Sequence, residues 1–388
     1  MYDFLIIGSG LSGSIIAREL ADNKKKVLIL ERRATVSGNL YDEFNEFNIL
    51  IQKFGPHIFH TNNESVYKYI NRFSTWNPFK LRCEVFMNGK YTPSPFNFKT
   101  IDTYYNSEKA KKIKEALISV YKTKTVSIVD LLESDNEQIA EYAQMLFDYD
   151  YSLYTSKQWG IKVSDIDISV LKRVPVRLDY EEMYFSDKYE CMPNKGYTNF
   201  IKKILDHPNI TIDLNTDGID YLKINEIDSK IEVHKYSVSE HIQIVYTGAI
   251  DELFKNKFGI LPYRSLDFEY KTLPIESFQN APVVAYPQEP SFTRITEYKK
   301  LPPQNIQNVT TIAYEYPKSF FPGDHEERYY PIPTHESSIL YNQYKNYASK
   351  FINLHLCGRL AEYKYYNMDQ IVEKALFVSS LLNLNSNE

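Results

Sequence analysis

The first residues of the chain contain a glycine pattern that could bind a pyrophosphate. Gly8-Ser9-Gly10-Leu11-Ser12-Gly13 reads GxGxxG and directly follows an apolar run over residues 3–7. In this motif the first glycine permits a tight turn, the second lets the backbone approach a pyrophosphate, and the third lets a helix pack closely on a strand. A helix that begins here also points its positive end at the phosphates. The pattern predicts dinucleotide binding, with a glycine-rich turn in an α/β core as the structural alternative.

An acid and a second glycine turn extend this prediction. Glu31 ends another apolar run, 18 residues after Gly13, where it can accept hydrogen bonds from an adenosine ribose. Arg32 follows and is assigned to the same site, although an arginine there can also mark a solvated strand end. Ser37-Gly38-Asn39 resembles the second phosphate loop of FAD enzymes, so the sequence favours FAD over NAD.

The elements that must position these residues form a βαβ unit. Residues 3–7 and 26–31 have the pattern of buried strands, and residues 13–21 have that of a helix between them. Further along we expect strands and turns over 79–98, helices over 102–154, strand-like structure over 172–192, a helix over 197–205, strands over 210–247 and a final helix over 368–382.

The length of 388 residues predicts two or three domains. The fold class is α/β: a Rossmann-like FAD-binding domain with a helical insertion domain and an antiparallel sheet domain. The FAD-binding domain is expected to combine residues 1–78, 196–262 and 340–388. Residues 99–171 would form the helical domain with a mobile loop, and residues 79–98, 172–195 and 263–339 the sheet domain that binds substrate.

Composition excludes several other classes of protein. The formal net charge of -5 gives no reason to expect nucleic acid as a partner. No apolar run approaches the roughly 20 residues that span a bilayer, so membrane insertion is not expected. The three cysteines, Cys83, Cys191 and Cys357, show neither a disulfide framework nor a zinc spacing, and no metal is predicted. No basic segment precedes the first apolar run, so we expect no signal peptide and a cytoplasmic location.

Several short strings are ordinary singly but specific in their order. They are FGPHIFHT at 54–61, YTSKQWG at 154–160, KRVPVR at 172–177, YFSD at 184–187, YTGAID at 246–251, TRITEYK at 293–299, EYP at 315–317 and GRLAEYKYYNM at 358–368. Together with the FAD motif, they resemble the bacterial type of UDP-galactopyranose mutase over essentially the whole chain.

That resemblance implies an isomerase of polysaccharide or O-antigen biosynthesis that interconverts pyranose and furanose forms of a nucleotide-activated hexose. In the family, reduced FAD is held without net redox turnover, and its N5 displaces the nucleotide diphosphate from the anomeric carbon. Arg173 and Arg294 would hold the departing diphosphate, because the guanidinium fork matches phosphate oxygens. His60 would tune the flavin N5. The partner is therefore a nucleotide-diphosphate sugar.

The resemblance also implies the remaining site residues. Those assigned to the substrate are Tyr184, Tyr316 and Tyr365 at the phosphates, Tyr154 stacked on the base, and Thr155 and Trp159 in the mobile loop. Those assigned to FAD, besides the first motif and Glu31, Arg32 and Asn39, are His57, Ile58, Thr247, Arg359, Tyr366, Asn367 and Met368. Asn367 would cap the last helix, whose positive end can face the pyrophosphate.

Some positions depart from the family pattern. Ser37 stands where the family usually has glycine, Asn367 where it has aspartate, and Pro56 where it has a small residue. Leu81 and Val284 fall where the galactose enzymes have sugar-contacting asparagines. Asp150 replaces an apolar or aromatic residue near the base.

These departures bear on the sugar. Burying a hydroxyl against Leu81 or Val284 without a hydrogen bond costs about 1–3 kcal/mol, whereas burying a methyl group there is favourable. The sequence therefore favours dTDP-fucopyranose over UDP-galactopyranose, unless water or another side chain serves the same hydroxyl.

Three alternatives stay open from the sequence. The substrate can be UDP-galactopyranose itself, or the chain can be a flavin oxidase or dehydrogenase on the same fold. A non-catalytic FAD-binding protein would leave the two arginines and the mobile loop unexplained. A homodimer is an open option, because the sequence determines neither the oligomeric state nor the physiological reductant.

Overall fold

The computed structural model describes residues 1–165, 168–323 and 327–385. Each of the three predicted domains includes a few residues outside these ranges, at 166–167, 324–326 and 386–388. No helix in the described ranges is both long enough and apolar enough to cross a bilayer.

The strands group into two large sheets and several small ones. In chain order they are β1 (Tyr2–Ile7), β2 (Val27–Leu30), β3 (Asp42–Phe44), β4 (Leu50–Gln52), β5 (Phe59–Thr61), β6 (Trp76–Pro78), β7 (Cys83–Met87), β8 (Lys90–Ser94), β9 (Thr125–Val126), β10 (Val176–Arg177), β11 (Tyr189–Pro193), β12 (Ile210–Asp213), β13 (Leu222–Asn225), β14 (Lys230–Val233), β15 (Val238–Tyr246), β16 (Tyr263–Leu273), β17 (Val283–Ala285), β18 (Arg294–Glu297), β19 (Thr310–Ser319), β20 (Tyr330–Pro331) and β21 (Leu354–Leu356).

The helices flank the parallel sheet or cluster in the middle of the chain. They are α1 (Leu11–Asp22), α2 (Glu64–Ile70), α3 (Phe98–Tyr104), α4 (Ser107–Val120), α5 (Ile128–Leu132), α6 (Glu137–Leu146), α7 (Ser152–Trp159), α8 (Ile168–Leu171), α9 (Gly196–Leu205), α10 (Ile250–Leu253), α11 (His335–Ala348) and α12 (Met368–Asn385). A π-helical turn, Phe147–Tyr151, joins α6 to α7.

A five-stranded parallel sheet carries the glycine motif. Its order is β12-β2-β1-β15-β21, and every pair in it is parallel. Successive side chains of β1 and β2 enter two different hydrophobic clusters, so both faces of the sheet are covered. This explains why both strands are apolar throughout, as is typical of parallel strands between helical layers. The predicted α/β class and the Rossmann-like unit are confirmed.

A seven-stranded sheet, in the order β20-β16-β19-β18-β17-β7-β8, forms the second layer. The sequence predicted an antiparallel sheet, and the structure corrects this at one place: β17 pairs parallel to β7. The remaining pairs of this sheet are antiparallel. The parallel pair arises because residues 83–94 join a sheet whose other strands all come from residues 263–331, far along the chain.

Helices α3 to α6, within the predicted helical region, pack around a hydrophobic cluster of their own that includes Ile113, Leu131 and Ile139. Four asparagine or serine side chains cap their N-termini by accepting backbone N–H bonds, which satisfies donors that a helix leaves free. The three-part division of the chain stays our proposal. One strand assigned to the sheet domain, β11, pairs with β5 and β6 of the region assigned to FAD.

Two predictions of secondary structure need correction. Residues 172–192 were expected to be strand-like, yet only Val176–Arg177 and part of Tyr189–Pro193 are strands there. Their alternation of polar and apolar residues reflects loops that pack against other elements. The helix His335–Ala348 was not predicted.

The turn before β3 holds a serine in an unusual backbone conformation. Ser37 has φ +98°, in the left-handed region that favours glycine, and its side chain is fully buried. The Ser37 hydroxyl has no hydrogen-bond partner in the part of the chain that the structure describes. The backbone N–H of Ser37 donates to the carbonyl of Ser9, which fixes this turn against the glycine motif.

We expect Ser37→Gly to raise the free energy of unfolding of the apoprotein by roughly 0.5–1 kcal/mol, since glycine relieves the left-handed strain and removes an unpaired hydroxyl. Urea denaturation measures this change. The control is Ser338→Gly in α11, where the same exchange should lower stability because glycine is a poor helix former. An unchanged or reduced stability in Ser37→Gly would show that the turn is unstrained.

Candidate active site

A first cavity lies at the carboxyl ends of β1, β2 and β15, beside the glycine motif. Of the residues assigned to FAD, the structure brings to this cavity Gly8, Gly10, Ser12, Glu31, Arg32, Asn39, His57, Thr247, Arg359, Tyr366 and Met368. The carboxyl edge of an open parallel sheet is where such folds bind ligands. Most of the residues assigned to FAD from the sequence therefore line this cavity.

The glycines of the motif have distinct physical roles. A Cβ on Gly13 would lie 2.1 Å from the carbonyl oxygen of Gly8, and one on Gly8 would lie 2.2 Å from Oγ1 of Thr247. A side chain at either position would prevent β1, α1 and β15 from packing as they do. A Cβ on Gly10 would meet nothing closer than Cα of Gly38 at 4.0 Å. The space beside Gly10 is thus open to the cavity, which is what close approach of a pyrophosphate needs.

Glu31 shapes the loop as well as facing the cavity. Its Oε2 accepts hydrogen bonds from the backbone N–H of Ser9 (2.8 Å) and from the Ser9 hydroxyl (2.7 Å), and its Oε1 accepts from the N–H of Arg33 (2.9 Å). Ser9 is fully buried and does not line the cavity. Its contribution is to hold Glu31 in place.

The first cavity fits a dinucleotide by its free hydrogen-bond donors. Ser37 and Arg33 line this cavity, and the Ser37 hydroxyl and Nη1 of Arg33 are buried without a partner among the described residues. The other nitrogens of Arg33 are engaged, as Arg32 is: Nη2 of Arg33 lies 2.7 Å and Nη2 of Arg32 lies 2.9 Å from Oε2 of Glu327. Unpaired buried donors are costly unless a ligand accepts from them, and phosphate oxygens do so.

A second cavity adjoins the first, and His57, Arg359 and Met368 line both. The residues assigned to substrate or flavin that the structure brings to this second cavity are Ile58, His60, Leu81, Tyr154, Thr155, Trp159, Arg173, Tyr184, Arg294, Tyr365 and Asn367. Asn367 directly precedes α12, and its carbonyl accepts from the N–H of Ile371 in the first turn.

Arg294 is held by a buried carboxylate. Its Nε and Nη2 both donate to Oε2 of Glu315 at 2.7 Å, and the Glu315 side chain is only 2% exposed. The two residues are direct partners across β18 and β19. Burial opposes the charge of the Arg294 guanidinium, but Glu315 together with Tyr154 and Tyr330 outweighs burial and raises the pKa of Arg294, which stays cationic.

Arg173 and Arg359 contact the ring of Tyr365 from the cavity. Their guanidinium carbons lie 3.9 and 4.6 Å from the ring centroid, a cation–π geometry. Burial raises the pKa of the Tyr365 phenol, but Arg173, Arg359 and Arg294 outweigh it and leave the pKa below its ordinary value. This region of the cavity is strongly positive.

The two histidines differ in environment. Burial and then Arg359 lower the pKa of His57 to about 4, so its ring is neutral at physiological pH. His57 Nδ1 lies 2.8 Å from the carbonyl oxygen of Gly55, which places the proton on Nδ1 and leaves Nε2 as an acceptor. His60 donates from Nδ1 to Asp187 (2.8 Å) and stacks on Phe185 with ring centroids 3.8 Å apart.

Helix α7, which carries Tyr154, Thr155 and Trp159, is anchored by two cations. The Lys157 ammonium donates to the backbone carbonyls of four residues, namely Tyr286, Pro287, Glu289 and Phe292. Arg264 donates from Nε to the carbonyl of Gln158 (2.8 Å) and from Nη2 to that of Lys157 (3.3 Å). Arg264 thus satisfies carbonyls at the C-terminal end of the helix, and Lys157 fixes the helix to the segment between β17 and β18.

Comparison with known proteins gives this geometry a family. The UDP-galactopyranose mutase family model matches residues 151–365, and an NAD(P)-binding Rossmann-like model matches residues 6–73. The chain is 33% identical over 393 residues to the dTDP-fucopyranose mutase of Escherichia coli, with 100% of both chains covered. It is 35% identical over 382 residues to the UDP-galactopyranose mutase of Mycoplasma genitalium, covering 96% of this chain and 92% of that one.

The chain belongs to the UDP-galactopyranose mutase family. The enzymes named among these relatives are pyranose mutases of nucleotide sugars, which are isomerases. A crystal structure of reduced UDP-galactopyranose mutase covers 100% of this chain and 95% of its own, with a TM-score of 0.74 and 16% identity. A putrescine oxidase structure matches at a TM-score of 0.55 and 11% identity, which is a likeness of fold alone.

Two of the residues assigned to the substrate, Tyr316 and Val284, do not line the second cavity. Tyr316 lies on the opposite face of β19 from Glu315, and its hydroxyl donates to Glu269 on β16 (2.9 Å). Val284 is fully buried on β17, whereas its neighbours Val283 and Ala285 line the cavity. Successive side chains of a strand point to opposite faces of the sheet, so Tyr316 and Val284 point away from the face on which their neighbours in the strand lie.

Two residues of the site were missed. Tyr330 lines the second cavity, with its ring centroid 6.0 Å from that of Tyr365 and 6.4 Å from that of Trp159. Glu315, next to the wrongly chosen Tyr316, binds Arg294. The strand alternation of EYP could have identified Glu315, but no local pattern distinguishes Tyr330 from Tyr329. No group of three or more potential metal ligands occurs among the residues that the structure describes.

We expect Glu315→Gln to lower kcat/KM by about tenfold or more, because a neutral amide holds the Arg294 fork less firmly than a carboxylate does. The matched control is Glu269→Gln, which alters an exposed carboxylate of the same sheet and should leave turnover unchanged. Steady-state kinetics with equal cofactor loading gives the comparison. Wild-type turnover in Glu315→Gln would show that this anchor is dispensable.

Proposed function

We propose that this mutase-family enzyme uses FAD to interconvert dTDP-fucopyranose and dTDP-fucofuranose. The observation that carries the proposal is a positive cavity built from Arg173, Arg294 and Arg359 that opens onto a dinucleotide cavity at His57. One cavity suits the cofactor, and the other suits the diphosphate of a nucleotide sugar. Their shared boundary is where sugar and cofactor would meet.

The first cavity supports FAD as the cofactor. Backbone beside Gly10, the turn at Ser37 and the carboxylate of Glu31 would hold its adenosine diphosphate part. His57 and Met368 line both cavities and would hold the flavin ring. Reduced flavin held there would supply a nucleophilic nitrogen for the chemistry at the anomeric carbon, without net redox turnover.

The residues of the second cavity would carry the charge of the leaving group. Arg173 and Arg294 would bind the diphosphate as the bond to the anomeric carbon breaks, and hold it for return to the rearranged sugar. Tyr184, Tyr330 and Tyr365 add phenolic hydroxyls around the same place. Tyr154 and Trp159 on α7 would cover the nucleotide and exclude water, which prevents hydrolysis of the activated sugar.

The sugar assignment rests on an apolar strip beside Arg294 in the same sheet. Leu81, Cys83 and Val85 line the cavity beside Val283 and Ala285, although Val284 itself does not. A hydroxyl buried against these side chains would need Glu84 or Ser94, the polar residues that line the cavity nearby in the chain, whereas the methyl group of a 6-deoxyhexose gains about 0.8 kcal/mol from burial. The E. coli relative named as a dTDP-fucopyranose mutase supports the same choice. The relative from M. genitalium keeps UDP-galactopyranose as the competing substrate.

The deciding experiment gives equal amounts of dTDP-fucopyranose and UDP-galactopyranose to purified enzyme with dithionite-reduced flavin. We expect yellow protein with releasable FAD, conversion to furanose isomers of unchanged mass, and an excess of dTDP-fucofuranose. The oxidised enzyme without reductant is the control and should be inactive. A dominance of UDP-galactofuranose would overturn the sugar assignment, and full activity of the oxidised control would overturn the flavin role.

Removing either cavity arginine should affect turnover more than cofactor binding. We expect Arg173→Ala and Arg294→Ala to keep FAD but to lose a hundredfold or more in kcat, equivalent to roughly 3–4 kcal/mol of lost stabilisation of the leaving diphosphate. Arg72→Ala is the control, because Arg72 pairs with Glu19 and Asp22 on the surface. Near-normal turnover in either cavity variant would contradict the assignment.

A further inference from the structure

The second cavity contains, away from the residues that it shares with the first, an aspartate in apolar surroundings. Asp150 lies in the π-helical turn between α6 and α7 and lines the cavity. Phe96, Tyr151 and Leu171 line the same cavity and belong to the hydrophobic cluster of the helical region. π-helical turns are uncommon and frequently occur at functional sites.

The Asp150 carboxyl lacks a hydrogen-bond donor among the residues that the structure describes, and no ion pair to it occurs there within 4.0 Å. The charged or titratable groups that face it are Lys157 from α7, Tyr104 from α3 and Tyr151 beside it. The Lys157 ammonium is already held by backbone carbonyls. A half-buried carboxyl that lines a cavity and has no partner in the described ranges is available to hydrogen-bond a ligand bound there.

Asp150 is one helical turn before Tyr154, the ring assigned to stack on the base, and both side chains line the same cavity. Residues four apart are neighbours on one face of a helix. A base stacked on Tyr154 would therefore present an edge to Asp150. This step rests on the proposed function, in which the cavity takes a nucleotide sugar.

We propose that Asp150 reads the imide edge shared by uracil and thymine, accepting a hydrogen bond from the base N3–H and donating one to its C4 carbonyl. A carboxyl group that carries a proton has one O–H donor and a free acceptor oxygen side by side. The imide offers the complementary pair, with an N–H beside a carbonyl. This makes Asp150 a specificity-determining residue for the base and independent of the sugar.

The electrostatics of the pocket support the protonated form. Burial raises the pKa of Asp150 to about 7, with Lys157 opposing the shift. The acid form is thus present below pH 7 and is lost as the pH rises through 7. Binding that uses the acid form must weaken over the same range. A guanine, which has two adjacent N–H donors, would instead prefer the ionised carboxylate and bind better at high pH.

The test measures Kd values by calorimetry on flavin-loaded enzyme at pH 6 and pH 8. The probes are UDP, dTDP, GDP and N3-methyl-UDP. For the wild type we expect UDP and dTDP to bind roughly fivefold more weakly at pH 8 than at pH 6. N3-methylation should weaken UDP binding at least about fivefold at pH 6, and GDP should bind more weakly than UDP.

Two variants make the test specific to the carboxyl. Asp150→Asn keeps an acceptor and a donor side by side, so it should bind UDP as tightly as the wild type does at pH 6 and lose most of the pH dependence. It should keep the N3-methyl penalty. Asp150→Leu should bind UDP and N3-methyl-UDP equally, at least about fivefold more weakly than the wild type binds UDP. A merely structural role would alter both probes alike and spare the N3-methyl penalty.

The outcomes separate this inference from the function on which it rests. Wild-type enzyme that binds UDP or dTDP but shows no N3-methyl penalty would overturn the role of Asp150 and leave the mutase assignment intact. Tighter binding of GDP than of UDP at pH 8 would also overturn the proposal that Asp150 recognises the imide edge of the base. An enzyme that binds none of these nucleotides would overturn the nucleotide-sugar function itself.

Discussion

The structure of this site depends on keeping three arginines close together with little opposing charge. Arg173, Arg294 and Arg359 all act on the phenol of Tyr365, yet only Arg294 has a carboxylate partner in the described part of the chain. Like charges in a partly buried cavity destabilise one another. The face of the Tyr365 ring offsets part of this repulsion at 3.9 and 4.6 Å. The negative charge of a bound diphosphate would offset the remaining repulsion among the three arginines.

The positive cluster is assembled from distant parts of the chain by the two sheets. Arg294 and Glu315 face each other because β18 and β19 pair in that register. Arg359 follows β21, at the edge of the parallel sheet, and so reaches both cavities. His57, Arg359 and Met368 line both cavities, so the first cavity, beside the parallel sheet, joins the second, beside the seven-stranded sheet.

This arrangement explains which parts of the fold and site could be predicted from the sequence. The strand, the glycine turn and the helix of the βαβ unit are adjacent in the chain, so their pattern is local and their positions were predicted closely. The faces of β17 and β19 depend on register with strands far away, so the resemblance alone did not show that Val284 and Tyr316 point away from the cavity that Val283 lines. Tyr330 enters the site through a two-residue strand with no periodicity to detect.

Lys157 connects two walls of the second cavity, namely helix α7 and the hairpin of β17 and β18. Lys157 binds four carbonyls in the segment between β17 and β18, so the helix with Tyr154 is tied to the hairpin with Arg294 and the apolar wall. Burial lowers the pKa of Lys157 to about 8, because its partners are dipoles and the nearby carboxylates offset burial only in part. The tie is therefore weaker than a buried ion pair would be, and it weakens as the pH rises through 8. A nucleotide sugar bound in the second cavity would therefore contact the helix and the hairpin as one connected unit.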